Sequence, residues 1–163
     1  MAKSSKRKAA SGDVATNRQA SFRYNLLERF ECGMVLEGTE VKSLREGGAQ
    51  LKDSYAAVRD GEVWLYGVYI APYAPASREN HDPERPRKLL LHRAQIEDIA
   101  GRVSERGLTL VPTRIYFAGP GSGSRAKVEI ALARGKDLYD KRQTIKKRDT
   151  MREVQRELRE VGR

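Results

Sequence analysis

The stretch FRYNLLERFECGMVLE, residues 22–37, decides how this chain folds. Phe22, Tyr24 and Leu26 alternate with polar neighbours, Leu27 interrupts the alternation, and Phe30, Cys32, Met34 and Leu36 resume it. A period of two lines one face of a strand, and an interruption by one residue is the mark of a bulge. The expectation is one long strand with a bulge near Leu27.

Reading onward, Gly38-Thr39 offers a helix start, Val41 and Leu44 form a helical pair, and Gly47-Gly48 stops the helix. Ser54–Val58 and Glu62–Ile70 are β-rich and separated by Asp60-Gly61, a hairpin signal. Residues 71–87 hold four prolines and read as a long loop. Arg87–Leu91 is a short strand leading into a helix over about 93–106, with Ile96, Ile99, Ala100 and Val103 at helical spacing and Gly107 at its end. Leu108–Phe117 and Lys127–Ala133 are two further strands, joined by the glycine-rich loop 118–124. The predicted fold is mainly β with short helices: a small antiparallel OB-type β-barrel, which closes its edges with few strands.

The formal net charge of +10 is unevenly spread. Residues 1–20 carry five Lys/Arg and one Asp, and residues 134–163 carry eleven Lys/Arg against six Asp/Glu, whereas residues 21–133 are nearly neutral. A neutral body with basic ends is the footprint of a nucleic-acid binder. The domain expectation is therefore a disordered basic arm over 1–16, a barrel over 17–134 and a basic tail over 135–163.

No run approaches the roughly 18 apolar residues of a membrane span, and the basic start at Met1–Gly12 has no apolar stretch behind it. Cys32 is the single cysteine, which fits a reducing compartment and a cytoplasmic protein. Two histidines and one cysteine, widely scattered, make no metal site of usual spacing. No nucleophile with a base and no cofactor fingerprint stands out, so neither enzyme activity nor a cofactor is expected. Tyr55, Trp64, Tyr66, Tyr69, Tyr116 and Phe117 lie on predicted strands, where most are expected to fill the barrel or its surface and one or two could stack on bases.

Ile145 and then Met151, Val154, Leu158 and Val161 are the apolar residues of the tail beyond Tyr139. The last four form a seam narrower than a core-facing stripe. An isolated helix of this length is marginal in water. The tail should be disordered alone and helical once an anionic surface neutralises its cations. A short coiled-coil dimer along 151–161 is the competing reading.

These residues also carry a resemblance. Asn17-Arg18, Phe30-Glu31-Cys32-Gly33, Gly38-Thr39-Glu40-Val41-Lys42-Ser43-Leu44-Arg45, Asp53-Ser54-Tyr55, Arg87-Lys88-Leu89-Leu90-Leu91-His92, Leu110-Val111-Pro112 and Gly135-Lys136 with Tyr139-Asp140-Lys141-Arg142 stand in the order and spacing of the SsrA-binding protein (SmpB) family. The resemblance implies an OB-type barrel that binds the tRNA-like domain of transfer-messenger RNA. It implies delivery to stalled ribosomes with a GTP-bound elongation factor, for trans-translation and ribosome rescue.

It further implies that Glu31, Leu90 and His92 bind that RNA, with Asn17, Arg18, Lys42, Lys88 and Lys127 as weaker candidates. Glu31 would accept hydrogen bonds from base amino groups or ribose hydroxyls, since a carboxylate repels phosphate. Gly135, Lys136, Tyr139, Asp140, Lys141 and Arg142, continued by Ile145, Lys146, Lys147 and Arg148, would engage the 16S rRNA decoding region and the messenger channel. Three features depart from the family pattern: Asp137 replaces a lysine, Cys32 replaces a small residue, and the loop 118–124 is long.

Overall fold

The computed structural model describes residues 12–161. In chain order the elements are β1 (Asp13–Thr16), α1 (Ala20–Arg23), β2 (Tyr24–Met34), α2 (Gly38–Arg45), β3 (Ala49–Gln50), β4 (Tyr55–Arg59), β5 (Glu62–Tyr66), β6 (Tyr69–Ile70), β7 (Arg87–Leu90), α3 (Arg93–Arg106), β8 (Thr109–Ala118), β9 (Arg125–Gly135) and α4 (Leu138–Val161). The main sheet is antiparallel and its pairing runs β8–β4–β5–β7–β2–β9, then returns from β9 to β8. Closure leaves few open strand edges for unwanted pairing. β3 and β6 form a separate two-stranded ribbon.

The expected bulge lies where it was read: the β2–β9 register slips between Leu26 and Glu28, leaving Leu27 exposed. Its consequence is a change of face within one strand. Tyr24 and Leu26 pack on a small cluster of Ala20, Val111 and Ala133, while Phe30 and Cys32 face the main core. All four positions are even-numbered, so without the bulge they would share one face. A second slip, between Pro112 and Arg114, does the same to β8. Leu110 and Ile115 both enter the core although their parity differs.

Two expectations shift. Asp13–Thr16, read as the end of the basic arm, is strand β1, paired with β8 and anchored by buried Ala15; the remainder of that arm, residues 1–11, lies outside the described residues. Phe22 and Arg23, read as strand, belong to α1. The turn is set by Asn17, whose N–H donates to the Thr113 carbonyl at 2.7 Å and whose side-chain amide donates to the Pro112 carbonyl at 3.0 Å. This bracket turns the chain back, and the Gln19 carbonyl then accepts from Arg23.

Helix α2 begins at Gly38 and its N-cap is Glu37, one residue before the expected cap at Gly38-Thr39: the Glu37 N–H donates to the Glu40 carboxylate at 2.8 Å in a capping box. Glu40 is then fully buried beside equally buried Arg87 at 2.8 Å, with Arg85 at 2.5 Å on its other oxygen. Burial alone would raise the Glu40 carboxyl, but hydrogen bonds from Arg85, the Glu37 amide and Arg87 outweigh it and hold the group below the usual carboxylate range. Burial pulls the Arg87 guanidinium down, against the pull of Glu40. It stays charged at neutral pH because an arginine starts so high.

The long loop 71–87 is strapped to this pair. Arg87 donates to the Pro83 carbonyl at 3.0 Å, and buried His81 bridges the Thr39 hydroxyl and the Ile70 carbonyl at 2.9 and 3.0 Å.

Candidate nucleic-acid interface

Strand periodicity, corrected for the two bulges, defines the outer face of the sheet. Cys32, Val63, Leu65, Leu89 and Val128 point inward and are buried. Their neighbours Glu31 and Gly33 on β2, Lys88 and Leu90 on β7, and Lys127 and Glu129 on β9 therefore point outward. Gly33 pairs with Leu90 on one side and Lys127 on the other. A Cβ on Gly33 would lie 3.3 Å from Leu90 Cβ, so the glycine lets half-exposed Leu90 lie low over β2. Gly33, Met34, Leu36, Val41, Leu90 and Lys127 line one shallow groove here.

Glu31 and Lys127 are ion-paired across the β2–β9 ladder, and the Tyr116 hydroxyl on β8 donates to the second oxygen of Glu31. Hydrogen bonds from Lys127 and Tyr116 hold the Glu31 carboxyl below its ordinary value. Desolvation and the bond to Glu31 push the Tyr116 phenol up. Arg114 lies 4.5 Å over the Tyr116 ring and pairs with Asp13 at 3.2 Å and Glu129 at 3.3 Å. Tyr116 and Arg114 in this role escaped sequence reading. The bulge at Thr113 reverses which β8 residues face outward, and its one local sign is Pro112, which has no N–H to give the ladder.

The structure brings Glu31, Leu90 and Lys127 together, with His92 and Lys88 at the margin, and places Lys42, Asn17 and Arg18 on other elements. His92 follows Leu90 at the exposed start of α3, where its N–H donates to the Gln95 side chain at 3.3 Å. Lys88 shares the outer face of β7 but is paired with Glu62 at 2.6 Å. Lys42 is elsewhere, on α2, with its ammonium 5.5 Å from the centre of the Tyr73 ring. Asn17 is the bracket that joins the β1 end to β8, and Arg18 beside it is exposed.

The tail candidates form the base of α4. Gly135 ends β9. The Lys136 N–H donates to the Arg23 carbonyl at 3.0 Å, and its ammonium donates to the Ser21 carbonyl at 2.8 Å. Tyr139 is exposed and accepts from Gln143 at 3.1 Å. The Asp140 carbonyl accepts from the Thr144 hydroxyl at 2.9 Å, and the Lys141 N–H donates to the Asp137 carbonyl at 3.0 Å. Arg148 lies 5.7 Å from the Phe22 ring centre. Arg142, Ile145, Lys146 and Lys147 are exposed, and no residue of α4 is buried.

Cys32 is fully buried, and desolvation pushes its thiol up to about 12, so it packs and does not react. Among the described residues no group of three His, Cys, Asp or Glu is placed to hold a metal ion, and no helix is long and apolar enough to cross a membrane.

These observations define a class of protein: a closed antiparallel β body with a charged, partly apolar outer face, from which a cationic helix projects. A family model described as SmpB protein matches residues 14–160. The SsrA-binding protein of Sulfurihydrogenibium sp. is 54% identical over 143 residues, covering 88% of this chain and 91% of that one. The SsrA-binding protein of Mycolicibacterium paratuberculosis is 50% identical, covering 97% and 95%. A chain in the solved structure described as "tmRNA-SmpB: a journey to the center of the bacterial ribosome" matches with a TM-score of 0.62 and 48% identity, over 76% of this chain and 84% of that chain. The chain belongs to the SmpB family, the SsrA-binding proteins.

Proposed function

We propose that this protein is an RNA-binding adaptor in the cytoplasm that holds the tRNA-like domain of transfer-messenger RNA and delivers it to stalled ribosomes. The observation that carries the reading is the match over residues 14–160 to SsrA-binding proteins, which spans both the sheet and the tail. The geometry supports a division of labour. The outer face around Glu31, Leu90 and Lys127, with His92 beside it, meets the tRNA-like fold. The tail from Gly135 meets the decoding region of the small-subunit rRNA and then the messenger channel.

A GTP-bound elongation factor carrying the aminoacylated RNA accompanies the complex. A helix that buries none of its residues has little reason to persist alone, so α4 orders fully only where rRNA neutralises its cations. Message and tail compete for one anionic groove, and the tail thereby reports an empty channel. The role is binding and delivery, not catalysis.

The test is preference at fixed salt. Binding to a folded tRNA-like RNA should be far tighter than to unstructured RNA of equal length. Comparable affinities would leave only a generic single-strand binder.

A further inference from the structure

We propose that Tyr116 is a positioning residue which, with Lys127, sets the Glu31 carboxylate as a two-point acceptor for the edge of an unpaired guanine in the bound RNA. The proposal rests on the RNA-binding reading above. Lys127 donates to one oxygen of Glu31 and Tyr116 to the other. A carboxylate offers about four acceptor sites on its two oxygens. One donor on each oxygen leaves acceptor capacity on both adjacent oxygens, on a side chain that is 52% exposed.

The ligand that matches two adjacent acceptors is a pair of adjacent N–H donors. Among the base edges used in pairing, guanine alone offers this, through N1–H and the N2 amino group. Adenine and cytosine set a donor beside an acceptor, and uracil sets one donor between two carbonyls. The guanine must be unpaired, because pairing uses this edge, and single-stranded loops are where proteins read RNA by sequence. Phosphate is excluded by charge.

The Glu31 side chain has to reach diagonally over β9 to meet β8, since Gly33, Lys127 and Tyr116 are successive partners across three strands. Tyr116 is itself held: Arg114 covers its ring at 4.5 Å and is fixed by Asp13 and Glu129. The carboxylate is thus ordered before RNA arrives. Lys127, committed to Glu31, acts on the carboxylate and not on a phosphate.

The experiment uses the full chain and a tRNA-like transcript, with affinity measured across a salt series. The variants are Glu31→Gln, Tyr116→Phe, their double, and Lys127→Met. Tyr116→Phe should weaken binding roughly tenfold, the scale of one hydrogen bond to a charged group. It should add almost nothing in the Glu31→Gln background, and its thermal midpoint should match that of the unaltered protein. Lys127→Met should weaken binding with the salt slope unchanged.

A Tyr116→Phe variant that binds normally, or that loses equal affinity in both backgrounds, overturns the positioning role. So does a Lys127→Met slope that falls by about one, the signature of a lost phosphate contact. Replacing unpaired guanosines one at a time by inosine, which lacks the N2 amino group, should weaken binding at one position for the unaltered protein and not for Glu31→Gln. Absence of any such position overturns the guanine assignment. Equal binding of tRNA-like and unstructured RNA by the unaltered protein would instead remove the RNA-adaptor reading itself.

Discussion

Glu40 ties three parts of the fold together through one side chain. It caps α2, takes one arginine from the long loop and one from β7, and has no exposed surface. Glu40→Ala would strand the buried Arg87 charge, a loss of about 3–5 kcal/mol by comparison with broken buried pairs. Because the folded-state pKa is depressed, this contribution is complete above the ordinary carboxylate range and is lost as pH falls through the depressed value. Thermal unfolding of the unaltered protein and of Glu40→Gln, followed from neutral pH into acid, should therefore converge. A constant gap at every pH would show that the Glu40 charge is not what stabilises the pair. The carboxylate of Glu31 has the opposite character: it is half-exposed, faces outward and is held by Lys127 and Tyr116.

At the scale of elements, α4 and β1 invert what charge alone suggests. Both belong to basic ends, yet β1 is sheet, with Ala15 buried and Asp13 paired to Arg114, whereas α4 buries none of its residues. Lys136, just before the helix, is tied to the Ser21 carbonyl, and Arg148 within it lies 5.7 Å from the Phe22 ring centre. Removing residues 138–163 should leave the thermal midpoint and tRNA-like RNA binding nearly unchanged while abolishing tagging on stalled ribosomes. Circular dichroism of the shortened chain, free in solution, should lose little helical signal and keep its sheet signal, because α4 orders fully only against rRNA. A large drop in RNA affinity would contradict the separation of sheet and tail. The exposed seam of Met151, Val154, Leu158 and Val161 has the spacing of a coiled coil over fewer than two heptads.

At the scale of the whole molecule, the proposed function gives the chain two binding surfaces of different physical kind. The sheet face mixes an ion pair, a groove and an exposed leucine; the tail is mostly charge. Binding through the tail should therefore fall more steeply with added salt than binding of the tRNA-like RNA to the sheet. Ribosome binding by the full chain and by the chain lacking 138–163, each over a salt series, measures the difference. Equal slopes would mean that the tail contributes no counterion release.

Much of this plan was legible residue by residue. Alternation around Leu27 located the bulge, Asp60-Gly61 the β4–β5 hairpin, and Ile96, Ile99 and Val103 the helix α3, because each signal is local. The family motifs marked Glu31 and Leu90, with Lys127 a weaker candidate outside them, but not that Tyr116 joins them. That juxtaposition depends on the β2–β9–β8 register and on the slip at Thr113, and register is settled by which faces find a core. Composition by itself determined a cationic tail too poor in apolar residues to be buried. Only the closed sheet decided that Glu40 would be a buried anchor and Glu31 an outward acceptor, because burial is a property of packing and not of the residue.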